Sequence, residues 1–306
     1  MSTPRTRPER TSLESFEKQH DTFVGIDSDG CVFDSMEIKH KECFCPAFVN
    51  HFGLQAASRY ARDVWEFVNL YSQTRGINRF KAILRALDLC RSHPEIARRK
   101  VDVVPLPDLE AWVARESKLG NPQLEAEIDR SGSEELRRVM AWSRDVNEAI
   151  AKIVRDVPPF PGVVESLERM QGHSDVIVVS QTPSEALVRE WAEQQIDGYV
   201  SLIAGQELGM KGDHLAATAG GRESGRYAPD RVLMIGDAPG DLHAAETVGA
   251  LFYPVLPGDE ETSWDRFADE ALDRFYAGTY AGQYQDDLIR EFEAVLPEAP
   301  DWEADR

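Results

Sequence analysis

Cysteines and basic residues are both scarce in this sequence. The 306 residues include only four cysteines, at positions 31, 43, 45 and 90, and these are too few and too unevenly spaced for a disulfide framework. We therefore expect reduced thiols. Lysine and arginine number 34 against 54 acidic residues, which gives a formal net charge of -20. Because this charge repels nucleic-acid backbones and anionic membrane surfaces, the expected partner is a small soluble substrate.

Long apolar runs are absent as well. None approaches the roughly 20 residues that a transmembrane helix needs. Residues 1–10 are polar and rich in arginine, without the apolar segment of a secretion signal. The expected location is therefore the cytoplasm. A hydrophobic share of 42% in a chain of this length is sufficient for a sizeable core and allows two domains.

Five short apolar runs predict the strands of one parallel sheet. Runs of this kind, without polar alternation, are typical of strands that are buried on both faces beneath helices. They occupy residues 23–26, 176–179, 199–203, 232–235 and 251–255. A helical pattern directly precedes the second run, and this βα rhythm implies a doubly wound sheet. The predicted fold class is therefore α/β, with a Rossmann-like parallel sheet.

The sequence divides into a core and one large insertion. Residues 35–156 carry repeated helical patterns and almost nothing strand-like, which predicts an inserted all-helical domain. The core is predicted over residues 22–34 and 157–297. Residues 1–21 lack apolar periodicity and predict a mobile leader, and residues 298–306 predict a frayed acidic tail.

Acidic and hydroxyl residues directly follow three of the predicted strands. Ligands of open α/β sheets bind outside the carboxyl ends of the strands, near the point where the strand order reverses. The residues at those ends are Asp27, Asp29 and Gly30 after the first run, Ser180 after the second, and Asp237 with Asp241 after the fourth. Several carboxylates on one edge repel one another without a cation, and an all-oxygen cluster suits Mg²⁺. Magnesium is therefore the expected cofactor.

The two acids of the first motif can serve different purposes. Asp27 can attack phosphorus as a carboxylate and form an aspartyl-phosphate. Asp29 can protonate the leaving oxygen and later accept a proton from the attacking water. A turn at Gly30 is expected to separate the directions of the two side chains.

Groups that could hold the phosphate follow later in the chain. Lys211 is the only lysine after Lys152, so it is the one ammonium of that type that the second half of the core can offer. Ser180 stands just before Thr182 and Pro183, which predict a helix start with Thr182 as its N-cap. The Ser180 hydroxyl and the first backbone N–H groups of that helix are expected to form a phosphate cradle.

These motifs, in this order, resemble those of the haloacid dehalogenase-like hydrolase superfamily. The resemblance rests on Asp27-x-Asp29-Gly30 with Asp34 and Ser35, then Ser180, Lys211, and Gly236-Asp237-x-x-x-Asp241. It implies that Asp27 is the nucleophile, Asp29 the general acid/base, and Ser180 and Lys211 the phosphate holders. It also implies a metal site made by Asp27, Asp237, Asp241 and the backbone carbonyl of Asp29. The insertion resembles the C1-type cap of the phosphatase and β-phosphoglucomutase-like branch.

Two positions depart from the family pattern. Cys31 stands where threonine is usual, and Gly212 follows Lys211 where proline is common. Neither departure removes a catalytic group. Gly30 and Gln181, which adjoin the predicted catalytic residues, are expected to contact the substrate.

The predicted activity is that of a Mg²⁺-dependent phosphatase acting on a small phosphorylated metabolite. A phosphomutase, which would return the phosphoryl group from Asp27 to a substrate hydroxyl, is an alternative within the same chemistry. A non-catalytic binding protein on the same fold is the alternative from another class. Its expected mark is the loss of Asp27, Asp29 or Asp237, and all three are present. A dehalogenase is disfavoured, since that reaction needs neither a metal nor a general acid at position 29.

One loop of the insertion is a candidate for substrate recognition. The segment from Arg75 to Arg79 has a turn at Gly76 between two helical stretches. Its Gly-x-x-Arg spacing resembles a substrate loop in the caps of β-phosphoglucomutase-like proteins, which implies that Arg75, Gly76 and Arg79 contact the substrate. The alternative is an ordinary helix–helix turn with solvated arginines.

Overall fold

The computed structural model describes residues 12–13, 16–221 and 225–304. These residues form two compact units: a core unit, which comprises the chain up to Ser35 together with Asp156–Val295, and a helical unit, which comprises Met36–Arg155 and the chain from Leu296 onward. Most of the predicted mobile leader, at residues 1–11 and 14–15, lies outside the described residues.

The core unit is built on a five-stranded parallel sheet. Its strands are β1 (Thr22–Ile26), β2 (Ser174–Val179), β3 (Leu202–Ala204), β4 (Val232–Gly236) and β5 (Leu251–Pro254). The strand order is β3-β2-β1-β4-β5, and every neighbouring pair is parallel. All strand residues are buried. The α/β prediction is confirmed, and the order reverses between β1 and β4.

The third strand is shorter than predicted. The apolar run predicted a strand over residues 199–203, but Asp197–Tyr199 forms a 3₁₀ turn and the strand begins at Leu202. Tyr199 directs its hydroxyl to Glu168, 3.0 Å away, rather than lying in the sheet. A short apolar run does not reveal where the turn ends and the ladder begins, because both use apolar residues.

The helical unit contains the first run of helices. They are α1 (Ser35–Ile38, which begins on the last residue of the core segment), α2 (Cys45–His51), α3 (Ser58–Asn69), α4 (Arg79–Ser92), α5 (Pro94–Arg98), α6 (Pro107–Arg115), α7 (Asn121–Ser131) and α8 (Glu134–Ile153), with a π-helical segment over Lys39–Phe44. The longest, α8, starts where the Ser133 hydroxyl accepts a hydrogen bond from the Leu136 N–H group at 3.2 Å. Its buried side chains recur at helical spacing, and they pack into one apolar cluster of this unit.

The core unit carries its own helices beside the sheet. They are α9 (Val163–Met170), α10 (Ser184–Glu193), α11 (Lys211–Thr218), α12 (Pro239–Val248), α13 (Glu260–Arg266), α14 (Leu272–Ala277) and α15 (Gln283–Ala294), with a π-helical segment over Phe267–Ala271. In α9, Val163, Leu167 and Met170 are spaced to share one face, and they join the apolar cluster that includes the sheet residues Val24 and Val176. Among the described residues, every helix is too short or too polar to cross a bilayer.

Residues 16–20, which the leader prediction included, have defined partners in the core unit. Asp175, at the start of β2, accepts hydrogen bonds from the backbone N–H groups of Gln19 and His20 at 2.9 Å and from the Tyr227 hydroxyl at 2.6 Å. Phe16 is buried. This part of the chain therefore differs from the prediction. Asp175 and Arg226, which donates to the Phe16 carbonyl at 3.1 Å, hold it without any apolar periodicity that the sequence could show.

The acidic tail also differs from the prediction of a frayed end. Asp301–Ala304 forms a short helix, α16, and the ring of Trp302 lies 5.8 Å from that of Phe67 and 4.9 Å from that of His93. The hydroxyl of Ser92 donates to Glu303 at 2.9 Å. One aromatic side chain is enough to bury part of this segment, although its composition is dominated by acids.

We expect the buried side chain of His214, the fourth residue of α11, to make the stability of the folded protein depend on pH. It is fully buried, and among the described residues neither ring nitrogen has a hydrogen-bond partner. Burial lowers the pKa of His214 from 6.5 to about 4. Since the unfolded chain then binds a proton that the folded chain does not, stability falls as the pH drops from 6.5 toward 4, by about 2 kcal/mol between pH 7 and pH 5.

Urea unfolding of His214→Leu at pH 7 and pH 5 checks this expectation. Leucine does not titrate, so the loss of stability between the two pH values should be smaller by about 2 kcal/mol than in the wild type. His243→Leu, which replaces an exposed histidine of α12, is the matched control. A pH dependence identical in all three proteins would contradict the prediction.

Candidate active site

Three carboxylates meet at the carboxyl edge of the sheet, where its order reverses. Asp27 follows β1 directly, Asp237 follows the neighbouring strand β4, and Asp241 lies in the first turn of α12. One carboxylate oxygen of each lies within 4.8 Å of the others, and all three residues are buried. The backbone N–H of Asp27 donates to the Ile235 carbonyl at 2.9 Å, which continues the β1–β4 ladder up to Asp27.

Lys211 lies against this group of acids. It is the first residue of α11, and its Nζ is 2.6 Å from Asp27 Oδ2 and 2.6 Å from Asp241 Oδ1. The group therefore combines three carboxylates with one ammonium. A buried cluster with this excess of negative charge is unfavourable unless a further cation or a change of protonation compensates it.

The environment shifts the pKa values of these groups. Burial raises the pKa of Asp241 above its ordinary value; the charge of Lys211 opposes this, and the charges of Asp27 and Asp237 add to it. Burial lowers the pKa of Lys211, but the charges of Asp241 and Asp27 outweigh burial and hold that pKa above its ordinary value. The Lys211 ammonium is therefore charged at neutral pH.

The three carboxylates fit a magnesium ion. Their donor atoms are all oxygens, which Mg²⁺ prefers, and a divalent cation would compensate the excess negative charge. The side chain of Asp29 does not belong to this group. Its predicted contribution to the metal site, through the backbone carbonyl, stays a prediction.

Two positions at this edge of the sheet favour glycine, one for steric and one for conformational reasons. A Cβ on Gly236, the last residue of β4, would lie 2.3 Å from Cγ of Asp241, so any side chain there would displace this carboxylate. Gly30 has φ of 77°, which favours glycine, and its N–H donates to the Phe33 carbonyl at 2.8 Å. The predicted substrate contact of Gly30 stays a prediction.

The side chain of Asp29 has partners different from those of Asp27. The Thr182 hydroxyl donates to Oδ2 of Asp29 at 2.6 Å, and the Ser35 hydroxyl donates to Oδ1. Asp27 instead accepts from the Ser28 N–H at 2.8 Å and from Lys211. The two acids are thus held by separate sets of donors, in line with the expectation that they point in different directions.

The loop after β2 is tied to the loop that precedes Lys211. Ser180 is buried, and its Oγ accepts from the Thr182 N–H at 3.2 Å. Gln181 donates its side-chain amide to the Gly209 carbonyl at 3.0 Å. This contact of Gln181 links the two loops. The predicted contact of Gln181 with the substrate stays a prediction.

The start of α10 corrects the predicted phosphate cradle. Thr182 was expected to cap this helix, but the helix begins at Ser184, after Pro183. The backbone N–H and the hydroxyl of Ser184 both donate to Glu207 Oε2, at 3.0 and 2.8 Å. Because an anionic side chain already binds this N–H group, it is not available to a phosphate in the way that the sequence suggested.

Two tryptophans support the Asp27–Cys31 segment. The indole N–H of Trp191 donates to Ser28 Oγ at 3.0 Å, and that of Trp264 donates to the Cys31 carbonyl at 2.8 Å. Both side chains are fully buried. No local sequence pattern shows which polar group a buried indole will reach. Burial, with the charge of Asp237 adding to it, raises the pKa of the Cys31 thiol.

The arginines of the predicted substrate loop are engaged within the helical unit. Arg75 is buried and donates to the Leu70 carbonyl at 2.9 Å. Arg79 donates to Ser143 Oγ at 3.1 Å and to Asn147 Oδ1 at 2.7 Å, and burial lowers its pKa to about 10. The alternative interpretation, an ordinary helix–helix turn, is therefore wrong in expecting that both arginines are merely solvated. A substrate contact of Arg75, of Arg79 or of Gly76, which has φ of 74°, stays a prediction.

The family comparison agrees with this site. The model of the family described as haloacid dehalogenase-like hydrolase matches residues 110–255, a segment that includes Ser180, Lys211, Asp237 and Asp241 but not Asp27 and Asp29. This match confirms the resemblance to haloacid dehalogenase-like hydrolases that the motifs indicated, and it supports an enzyme of that type. No curated protein sequence matches the chain significantly.

Several solved structures are similar at low sequence identity. A putative phosphoglycolate phosphatase from Lactobacillus delbrueckii subsp. bulgaricus is 14% identical, with a TM-score of 0.45, over 82% of this chain and 92% of its own. A haloacid dehalogenase-like hydrolase from Xanthomonas campestris is 11% identical, with a TM-score of 0.43, over 88% and 98%. A putative β-phosphoglucomutase from Thermotoga maritima is 13% identical, with a TM-score of 0.41, over 77% and 85%.

Proposed function

We propose that this protein is a Mg²⁺-dependent phosphatase that hydrolyses a small phosphorylated metabolite in the cytoplasm through an aspartyl-phosphate on Asp27. The observation that carries the proposal is the cluster of Asp27, Asp237 and Asp241 at the switch point of the sheet, with the Lys211 ammonium 2.6 Å from two of them. Such a set can bind a phosphoryl group and supply a nucleophile to it.

In the first step, Asp27 attacks phosphorus. Its Oδ1 accepts a hydrogen bond from the Ser28 N–H, which orients the carboxylate. Lys211, already in contact with Asp27, provides positive charge for the phosphoryl oxygens as the P–O bond to the leaving group breaks. Mg²⁺, when held by Asp27, Asp237 and Asp241, would supply further charge neutralisation between the acids and the incoming phosphate.

Asp29 carries the proton transfers. In the first step, it donates a proton to the oxygen of the leaving group, and the alcohol departs. In the second step, it accepts a proton from water, the water oxygen bonds to phosphorus, and the bond between Asp27 and phosphorus breaks to release inorganic phosphate. Separate donors hold Asp29 and Asp27, which supports this division of roles.

Substitution of Asp29 tests its role as the general acid. Asp29→Asn should still bind phosphate analogues but should lose roughly 100-fold or more in kcat/KM on an alkyl phosphate, because general acid catalysis contributes about 10²- to 10⁴-fold. The loss should be smallest on p-nitrophenyl phosphate, whose leaving group needs no protonation. Equal losses on the two substrates would contradict the assignment.

A panel of phosphorylated metabolites, assayed with and without Mg²⁺, tests the activity as a whole. Stoichiometric release of inorganic phosphate is expected for a phosphatase. Transfer of the phosphoryl group to a second hydroxyl of the substrate, without phosphate release, would indicate a phosphomutase. Binding without turnover on every substrate would indicate a non-catalytic protein.

A further inference from the structure

The hydroxyl of Thr182 donates a hydrogen bond to the side chain of Asp29, with its Oγ1 2.6 Å from Asp29 Oδ2. A carboxyl group keeps an accepting oxygen whether it is ionised or protonated, so the threonine hydroxyl can donate to Asp29 in both of its proposed roles. We propose that Thr182 is a positioning residue that orients Asp29 toward the leaving group of the substrate. This inference rests on the proposed function, in which Asp29 is the general acid and base.

The backbone of Thr182 is held on both sides. Its N–H donates to Ser180 Oγ at 3.2 Å, and its carbonyl accepts from the Gln206 N–H at 3.1 Å. The second contact requires a close approach at Gly205, where a Cβ would lie 2.7 Å from the Thr182 carbonyl oxygen and 2.5 Å from Ser184 Oγ. The hydroxyl is therefore presented to Asp29 from a backbone that two core loops fix.

Asp29 needs such support because of its place in the chain. The next residue, Gly30, has a positive φ and belongs to the turn that closes onto Phe33. An aspartate side chain has a broad second torsion angle, so its carboxylate plane is set by hydrogen-bond partners rather than by rotamer preference. The Thr182 and Ser35 hydroxyls bind one carboxylate oxygen each and so determine that plane.

The orientation of Asp29 should affect the rate mainly for substrates with a poor leaving group. A misaligned acid slows the breaking of a bond to a poor leaving group, whereas a good leaving group departs without protonation. Nucleophilic attack by Asp27 is unaffected, because Asp27 has its own donors. A residue that merely stabilises the fold would lower the activity on both kinds of substrate equally.

The experiment compares Thr182→Val with Thr182→Ser on an alkyl phosphate and on p-nitrophenyl phosphate. Valine has the shape of threonine without the hydroxyl, and serine keeps the hydroxyl. For a hydrogen bond to a charged group, Thr182→Val should lower kcat/KM on the alkyl phosphate by about 10- to 100-fold and by less than about 3-fold on the aryl phosphate. Thr182→Ser, which keeps the hydroxyl, should retain most of the wild-type kcat/KM on the alkyl phosphate.

Thr218→Val is the matched control, because this buried threonine donates its hydroxyl to the His214 carbonyl within α11; its ratio of activities on the two substrates should equal that of the wild type. Adding Thr182→Val to Asp29→Asn should cause no further selective loss. Equal losses on both substrates in Thr182→Val, or no rescue by serine, would overturn the inference alone. If Asp29→Asn itself showed no selectivity between leaving groups, the proposed acid role would fail, and this inference with it.

Discussion

Asp27→Asn should reduce kcat to below about 1% of the wild-type value on every phosphorylated substrate, while the protein remains folded. The amide has nearly the same shape as the carboxylate but lacks the negative charge that attacks phosphorus. Lys211 keeps its second partner, Asp241 Oδ1 at 2.6 Å, so the substitution does not leave a buried ammonium alone. This is the largest single effect that the proposed mechanism predicts.

Steady-state kinetics together with thermal unfolding test this prediction. Asp175→Asn is an instructive control, because it also alters a buried aspartate but lies at the start of β2, away from the carboxyl edge of the sheet. It should lower stability, through its bonds to Gln19, His20 and Tyr227, and leave kcat of the folded protein close to that of the wild type. Turnover by Asp27→Asn above about 1%, in a folded protein, would contradict the nucleophile assignment.

Removal of the metal should have an effect of similar size. We expect excess chelator to abolish turnover and added Mg²⁺ to restore it, since the buried acids would otherwise repel both one another and the phosphate. Asp237→Ala should lower kcat/KM by about 100-fold or more, because it removes one of the three carboxylates that lie within 4.8 Å of one another.

Direct measurement of Mg²⁺ binding separates this role from a loss of catalysis by other means. Calorimetric titration of Asp237→Ala with Mg²⁺ should show weaker binding than the wild type. Asp273→Ala, which removes an exposed carboxylate of α14 that pairs with Arg169, should bind Mg²⁺ normally. Full activity in excess chelator would rule out the proposed metal requirement.

The sheet was predictable from sequence because its strands are buried on both faces. Each strand reads as a short apolar run, and four of the five observed strands lie within two residues of the predicted limits. The third strand was less well predicted, since Tyr199 is apolar enough to extend the run yet belongs to a turn. The start of α10 was misplaced for a related reason: the residue that caps it, Glu207, lies 23 positions away.

The acids of the site were predictable because the ends of parallel strands share one edge. That rule alone places Asp27 and Asp237 together, and Asp241 follows one helical turn later. The partners of these residues were not predictable. Thr182 reaches Asp29 across 153 positions of sequence, and Trp264 reaches Cys31 across 233. Such contacts depend on how helices pack on the sheet, and no local pattern encodes them.

The central strand of the sheet, β1, is synthesised well before both of the strands that pair with it. During synthesis, Thr22–Ile26 emerges first, yet both of its partners, beginning at Ser174 and Val232, emerge about 150 and 200 residues later. Until then, a largely apolar strand that will lie in the middle of the sheet has two unpaired edges, which is the condition that favours aggregation. The helical unit is made largely of the intervening residues, so its early folding would shorten the segment whose closure entropy opposes the pairing of β1 with β2. Substitutions that destabilise the helical unit are therefore expected to lower the yield of native protein at expression, even where they leave the carboxylate cluster untouched.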